Sequence, residues 1–260
     1  MRTEDVWIDA PQGRLFARVW RPSDGEAGSP PIILFHDSLG AVSLWRDFPG
    51  QLAEAAGRTV IAYDRLGYGR SDPNPHRPGA GFIREEGRIS LPALRARLDV
   101  DRMILFGHSV GGGMAVAAAA AFPDDVLGVV TESAQAFVED RTLAGIRDAQ
   151  KAFADPAQME RLARHHGDKA PWVLAAWTGT WLDEAWQDWS LEAELRRLQC
   201  PILAIHGDKD EFGSELHPER IVSQVPAPGE MLLIQDCGHV PHREKADLVL
   251  AAVTAFVGRL

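Results

Sequence analysis

The sequence predicts a doubly wound, mostly parallel α/β sheet of eight strands carrying a helical insertion. Three observations predict it: eight short apolar or β-branched runs, the amphipathic stretches between most of them, and one strandless gap of about sixty residues.

The first two runs, "VWIDA" (6–10) and "RLFARVW" (14–20), lie close together around "PQG", which predicts an antiparallel hairpin at a sheet edge. The next six are "PIILFH" (31–36), "TVIAYD" (59–64), "RMILFGH" (102–108), "VLGVVTES" (126–133), "PILAIHG" (201–207) and "EMLLIQD" (230–236). Most are apolar throughout rather than alternating, as strands covered on both faces by helices must be. Within the gap, Leu143, Ile146, Ala149 and Phe153 recur at helical spacing, as do Val173, Trp177 and Trp181, then Leu191, Leu195 and Leu198. The expected division is a core of residues 1–134 and 197–260 with a helical insertion at 135–196. That insertion holds Trp172, Trp177, Trp181, Trp186 and Trp189, five of the eight tryptophans. Such rings can glue an insertion to its core; Trp177 and Trp181 are also expected to line an apolar pocket over the functional site.

Bulk composition bounds the partners. The 260 residues, 45% hydrophobic and 25% charged, are those of an ordinary globular protein. A net charge of −10 disfavours nucleic acid and anionic membrane surfaces, and no 18-residue apolar stretch occurs. Only Cys200 and Cys237 are present, read as reduced thiols, and "MRTEDVWIDA" lacks an apolar signal region. A cytoplasmic protein acting on a small molecule, without nucleic-acid or membrane partners, is the expectation.

The strongest chemical signal is Gly107-His108-Ser109-Val110-Gly111, a G-x-S-x-G element between a buried strand and an Ala-rich helix. Ser109 must stand on a sharp turn for its hydroxyl to clear the sheet, and side chains at Gly107 and Gly111 would collide with the neighbouring strand and helix. A serine hydroxyl is a weak nucleophile until a histidine takes its proton, and that histidine needs an orienting carboxylate. His239, on a Gly-containing loop after the last strand, is the candidate base, with His242 its competitor. Asp210 is the first candidate acid; Asp208 reads as a turn or capping residue, and Glu132 is an alternative acid position. His165 and His166 have no matching ligands in sequence, so no metal is expected, nor any cofactor.

With these residues in place the chain resembles the α/β-hydrolase superfamily along nearly its whole length. The matching elements are His36 opening an oxyanion loop, "YDRLGYGRSD" (Asp64, Gly67, Gly69, Ser71), "GHSVGG", and "GDKD" with "GHVPHRE". The resemblance selects Asp210 through Gly207-x-x-Asp210, and His239 through Gly238-His239-x-Pro241-x-x-Glu244. It implies a Ser109–His239–Asp210 triad, an oxyanion hole from the backbone N–H groups of Ser38 and Val110, and a cap formed by the insertion. It also implies serine hydrolysis of carboxylic esters through an acyl-enzyme on a small-to-medium apolar or aromatic substrate. Carbon–carbon bond hydrolysis, lactone or thioester hydrolysis, cofactor-independent dioxygenation and simple ligand binding are the alternatives within the fold.

One residue departs from the pattern. In "FHDSLG", Asp37 stands where the family usually has glycine. Its carboxylate, if aimed at an oxyanion, would oppose stabilisation of about 3–4 kcal/mol per donor. Asp37 is therefore expected to turn from the pocket and pair with Arg46, Arg65 or loop N–H groups.

Overall fold

A computed structural model of the chain describes residues 1–24 and 28–260. All eight runs form strands: β1 (Arg2–Ala10), β2 (Gly13–Arg21), β3 (Ile32–Phe35), β4 (Val60–Tyr63), β5 (Met103–His108), β6 (Val126–Glu132), β7 (Ile202–Gly207) and β8 (Gly229–Ile234). They make one sheet in the order β1-β2-β4-β3-β5-β6-β7-β8. β1 and β2 form the expected edge hairpin; β2 also runs antiparallel to β4, and every later pairing is parallel.

The core helices are α1 (Phe48–Ala56), α2 (Phe82–Leu98) and α3 (Val110–Ala121). Between β6 and β7 lie α4 (Asp140–Ala152), α5 (Pro156–His166), α6 (Ala170–Trp181) and α7 (Glu192–Leu195). After β7 come α8 (Leu216–Gln224), α9 (Pro241–Glu244) and α10 (Ala246–Val257). Because side chains alternate along a strand, the sheet carries two cores. Ile33 and Phe35 face a layer built on α2 and α3, while Ile32 and Leu34 face one built on α1 and α10. The tiny side chains of α3 let it lie against the sheet, and a methyl group at Gly87 of α2 would sit 2.8 Å from Ala118 Cβ.

The segment between β6 and β7 is helical as expected, and its two ends meet: Phe137 and Ser190 form an antiparallel bridge, and Leu191 N–H donates to the Ala136 carbonyl at 2.8 Å. The sequence reading did not single out α5, whose start is marked by Asp155, whose side chain accepts from Ala157 N–H, followed by Pro156. Through α5 and the turn after it the insertion is pinned to the core. His166 Nδ1 accepts from Gly69 N–H (2.9 Å), its Nε2 donates to the Leu39 carbonyl (2.9 Å), and Lys169 donates to the carbonyls of Gly69 and Ser71. Trp172 packs against Tyr68 and against Gly67, where a side chain would run into its ring.

Candidate active site

Ser109 occupies the corner between β5 and α3 with φ 55° and ψ −125°, a region that side chains other than glycine's rarely occupy. The corner is over-determined. Ser109 N–H donates to the Glu132 carbonyl at 2.8 Å, and its own carbonyl accepts from Gly112 N–H at 2.9 Å. A Cβ on Gly107 would overlap the backbone of Gly111 and Gly112, and one on Gly111 would overlap the Phe35 carbonyl. The elbow thus needs both glycines for the reason read from the sequence. Val110 opens α3, where an N–H has no partner within the helix.

His239 lies on the β8–α9 loop. Glu244 clamps that loop from both sides, accepting from Gly238 N–H (2.7 Å) and Val240 N–H (3.1 Å). His108 Nε2 donates to the His239 carbonyl at 2.8 Å. The His239 ring turns Nδ1 onto Asp210, 2.8 Å from Oδ1 and 2.9 Å from Oδ2. Asp210 is buried and also accepts from Phe212 N–H at 2.8 Å. Burial pushes its carboxyl upward, but the His239 charge and hydrogen bond outweigh this and hold it below the usual carboxylate value. Burial likewise pushes His239 down, and the Asp210 carboxylate more than compensates, leaving the imidazole above its ordinary 6.5.

Ser109 and His239 line one cavity of about 190 Å³, together with Ser38, Trp177, Trp181 and Phe212. The structure therefore brings together Ser109, His239, Ser38, Trp177 and Trp181 around one space, with Asp210 behind the histidine. Phe212 went unnoticed in the sequence; its ring bridges Trp177 and His239 with centroids 5.8 and 4.8 Å away. The tryptophans divide. Trp177 and Trp181 face the cavity, whereas Trp186 stacks on Trp189 and packs against Phe82 of α2.

The alternative candidates serve other purposes. Asp208 accepts from Cys237 N–H at 3.3 Å and pairs with Lys209, as a turn residue does. Glu132 and His242 bond each other: His242 N–H and Nδ1 each lie 2.6 Å from a different Glu132 oxygen. His108 completes a buried cluster with them, their ligating atoms all within 4.8 Å of one another, but both Glu132 oxygens are already engaged by His242. Cys200 and Cys237 are buried free thiols.

Asp37 does not behave as expected. Its carboxylate pairs with neither Arg46 nor Arg65 and takes no loop N–H among the described residues; Oδ1 lies over Gly40, 4.0 Å from His108 Nδ1, and the residue, 32% exposed, belongs to the walls of both the Ser109 cavity and a neighbouring one. The reason is that Arg65 is committed elsewhere: it donates to the Asp37 carbonyl at 2.7 Å and stacks on Tyr68 with its guanidinium 4.1 Å from the ring centroid. Asp37 also keeps an ordinary φ, so the loop bends without a glycine there.

The wider motif proves to be scaffolding. Buried Asp64 accepts from Val42 N–H (2.6 Å) and Arg70 N–H (2.8 Å), tying the "YDRLGYGRSD" loop to the chain that follows the Asp37 loop. Burial raises its carboxyl above the usual range, and those N–H groups lower it only in part. Gly69, at φ 45°, leaves room for that carboxylate.

Comparison with known proteins agrees with this architecture. Serine hydrolase BPHL of Mus musculus is 29% identical over 231 residues, covering 85% of this chain and 76% of its own length. Among solved structures, the proline iminopeptidase of Mycobacterium smegmatis superposes with a TM-score of 0.74 at 19% identity, covering 98% of each chain. Carboxylesterase CesB of Bacillus subtilis superposes with a TM-score of 0.72 at 18% identity, covering 99% of this chain and 92% of its own. At such identities the structures show a shared fold. Residues 30–170 match the family model for the α/β hydrolase fold, and the chain belongs to that family.

Proposed function

We propose that the protein is a serine hydrolase of carboxylic esters, with Ser109 as nucleophile, His239 as base and Asp210 as its orienting acid. The observation that carries this reading is a strained serine corner sharing a cavity with an imidazole whose far nitrogen is bonded to a buried carboxylate. In the reaction, Ser109 Oγ attacks the ester carbonyl while His239 Nε2 takes the hydroxyl proton. The backbone N–H groups of Ser38 and Val110 hold the resulting oxyanion. His239 then returns the proton to the departing alkoxide, leaving an acyl-enzyme. Water, deprotonated by the same imidazole, repeats the attack; the acid product leaves and Ser109 regains its proton. Asp210 keeps the imidazole in the required tautomer and favours the imidazolium formed in each half. Residues 135–196 act as a cap over the core of 1–134 and 197–260, and Trp177 and Trp181 contribute the apolar wall against which the substrate rests. The relatives named as a serine hydrolase and a carboxylesterase support the same chemistry.

Turnover of 4-nitrophenyl butyrate, abolished in Ser109→Ala, with fluorophosphonate labelling at Ser109, is the expected result. Folded protein that resists labelling would sink the nucleophile assignment. Asp37, on the cavity wall that His239 also lines, gives one specific opening to a second reading, in which the His239–Asp210 pair serves as base in an O₂-dependent reaction with no acyl-enzyme. That activity would survive Ser109→Ala and be lost in His239→Ala.

A further inference from the structure

A second cavity, of about 280 Å³, adjoins the first, and Asp37, Leu39 and Val240 belong to both walls. Its inner wall includes Trp45, Phe153 and Leu162, and its mouth carries Arg161 and His165 of α5 with Arg243 of α9. The charge there runs against that of the protein. The chain has a net charge of −10, yet Arg46, Arg161, Arg164 and Arg243 gather at this seam, all exposed. Among the described residues none of the four is in an ion pair, whereas in the cluster around Trp7 Arg14, Arg18 and Arg70 each have a carboxylate partner.

The crowding is felt by the groups themselves. Burial, then the neighbouring charge of Arg46, lowers Arg243, with Asp37 and Glu132 only partly offsetting this. Burial, then Arg243, Arg164 and Arg46, lowers His165. One guanidinium nitrogen of Arg243 donates to the Leu44 carbonyl at 2.9 Å, which holds the side chain at the mouth. Positive charge without an ion-pair partner, partly desolvated at Arg243 and set beside an apolar space, suits an anion, since guanidinium groups give charge-assisted hydrogen bonds to carboxylates. Asp37 selects among anions: standing on the shared wall, its negative charge opposes a dianionic phosphate about twice as strongly as a monoanion.

We propose that the seam between α5 and α9 is a subsite for a carboxylate borne by the substrate, held by Arg161 and Arg243 while the ester sits at Ser109. The apolar body between the two groups lies along Trp45, Phe153 and Leu162. This rests on the ester-hydrolase reading above and adds the substrate class: esters whose acyl or alcohol part ends in a carboxylate. The arginines at the rim also raise the local concentration of such anions by steering them to the mouth.

The test compares matched pairs, each corrected for its rate of hydroxide hydrolysis: mono-4-nitrophenyl adipate against 4-nitrophenyl hexanoate, and 4-acetoxybenzoate against 4-methylphenyl acetate. In at least one pair kcat/KM is expected to favour the carboxylate by about tenfold or more at low salt, consistent with a charge-assisted pair. The ratio is expected to shrink as salt is added, and to fall toward one in Arg161→Gln/Arg243→Gln. Because the readout is a ratio within one preparation, a general loss of activity does not imitate it, and the salt series on the unaltered protein needs no variant. Absence of preference in both pairs, or a preference that survives both substitutions, would overturn the subsite. A faster reaction with 4-acetoxyphenyl phosphate than with 4-acetoxybenzoate would overturn the carboxylate assignment. Failure to hydrolyse even the neutral esters would instead strike the ester-hydrolase reading.

Discussion

Glu132 and His242 form a second buried histidine–carboxylate pair, Oε2 to Nδ1 at 2.6 Å, beside the pair made by Asp210 and His239. The two pairs differ in what lies on the other side of the imidazole. His239 faces the Ser109 cavity, whereas His242 is wedged among Trp45, Phe48 and His108. Glu132 also receives His242 N–H, so the pair fastens the start of α9 to the end of β6 and thereby seats the His239 loop. Glu132→Gln is expected to act mainly through stability. Breaking this buried hydrogen-bonded pair leaves a buried polar group without its partner, which costs about 1–3 kcal/mol. Thermal melting should fall clearly, while the molecules that remain folded keep an ester hydrolysis rate within an order of magnitude of the parent. A rate loss comparable to that of Asp210→Asn would instead make Glu132 the working acid.

Asp210→Asn tests the first pair. As a base, His239 must be neutral, so kcat/KM falls as pH drops through its folded value, which Asp210 raises above 6.5. The acid limb of the pH profile is therefore expected above pH 6.5. In Asp210→Asn burial is opposed only by the charges of Glu211 and Asp37, so the limb should move to lower pH, with kcat reduced by about 10⁴. An unmoved limb would show that another group controls it.

Two tryptophans of the cavity wall should separate specificity from stability. Trp177 is half-buried and meets Phe212 edge-on, whereas buried Trp181 is packed by both Trp186 and Trp189. Trp177→Ala is expected to enlarge a cavity of about 190 Å³ with modest loss of stability, moving the preferred acyl chain in a 4-nitrophenyl ester series to greater length. Trp181→Ala should cost about 3–5 kcal/mol, the range for truncating a large buried aromatic. If both variants melt alike and keep the parent's chain-length profile, neither ring bounds the substrate.

These contrasts also show which parts of the molecule the sequence discloses. All eight strands are legible because each is a local apolar run, and the serine corner is legible because its G-x-S-x-G element is local, although only Gly107 is demanded by near neighbours and Gly111 by the distant Phe35 backbone. The helix α5 escaped because its sequence, "PAQMERLARHH", leaves only Leu162 and His166 buried, too few for a periodic signal. Asp37 escaped for a different reason. Its orientation depends on whether Arg65 takes its carbonyl or its carboxylate, a choice made by Tyr68 and His36 around the arginine. Contacts that join residues 97 and 127 positions apart, as those of His166 do, have no local signature.

His166 also provides a test at acid pH. Its Nδ1 can accept from Gly69 N–H only while the ring is neutral, and burial pushes the group down from 6.5 to about 4, the Leu39 carbonyl and Asp37 partly opposing this. His108 is pushed to about 4 by burial as well. Between pH 6.5 and about 4 the unfolded chain therefore binds protons that the folded chain refuses. Stability is fully present above pH 6.5 and is lost as pH falls through this window, at about 1.4 kcal/mol per pH unit for each such histidine. Asparagine can accept from Gly69 and donate to Leu39 without titrating, so His166→Asn should remove about one proton from the slope of unfolding free energy against pH. His166→Ala should lower stability at neutral pH, since it leaves the buried Gly69 N–H unpaired at about 1–3 kcal/mol and frees the half-buried Leu39 carbonyl as well. Urea unfolding from pH 4 to 7.5 measures both effects. An Asn variant with the parent's slope would mean that His166 is already free to protonate in the folded protein, and that the contact between the insertion and the Gly69 loop is not held by it.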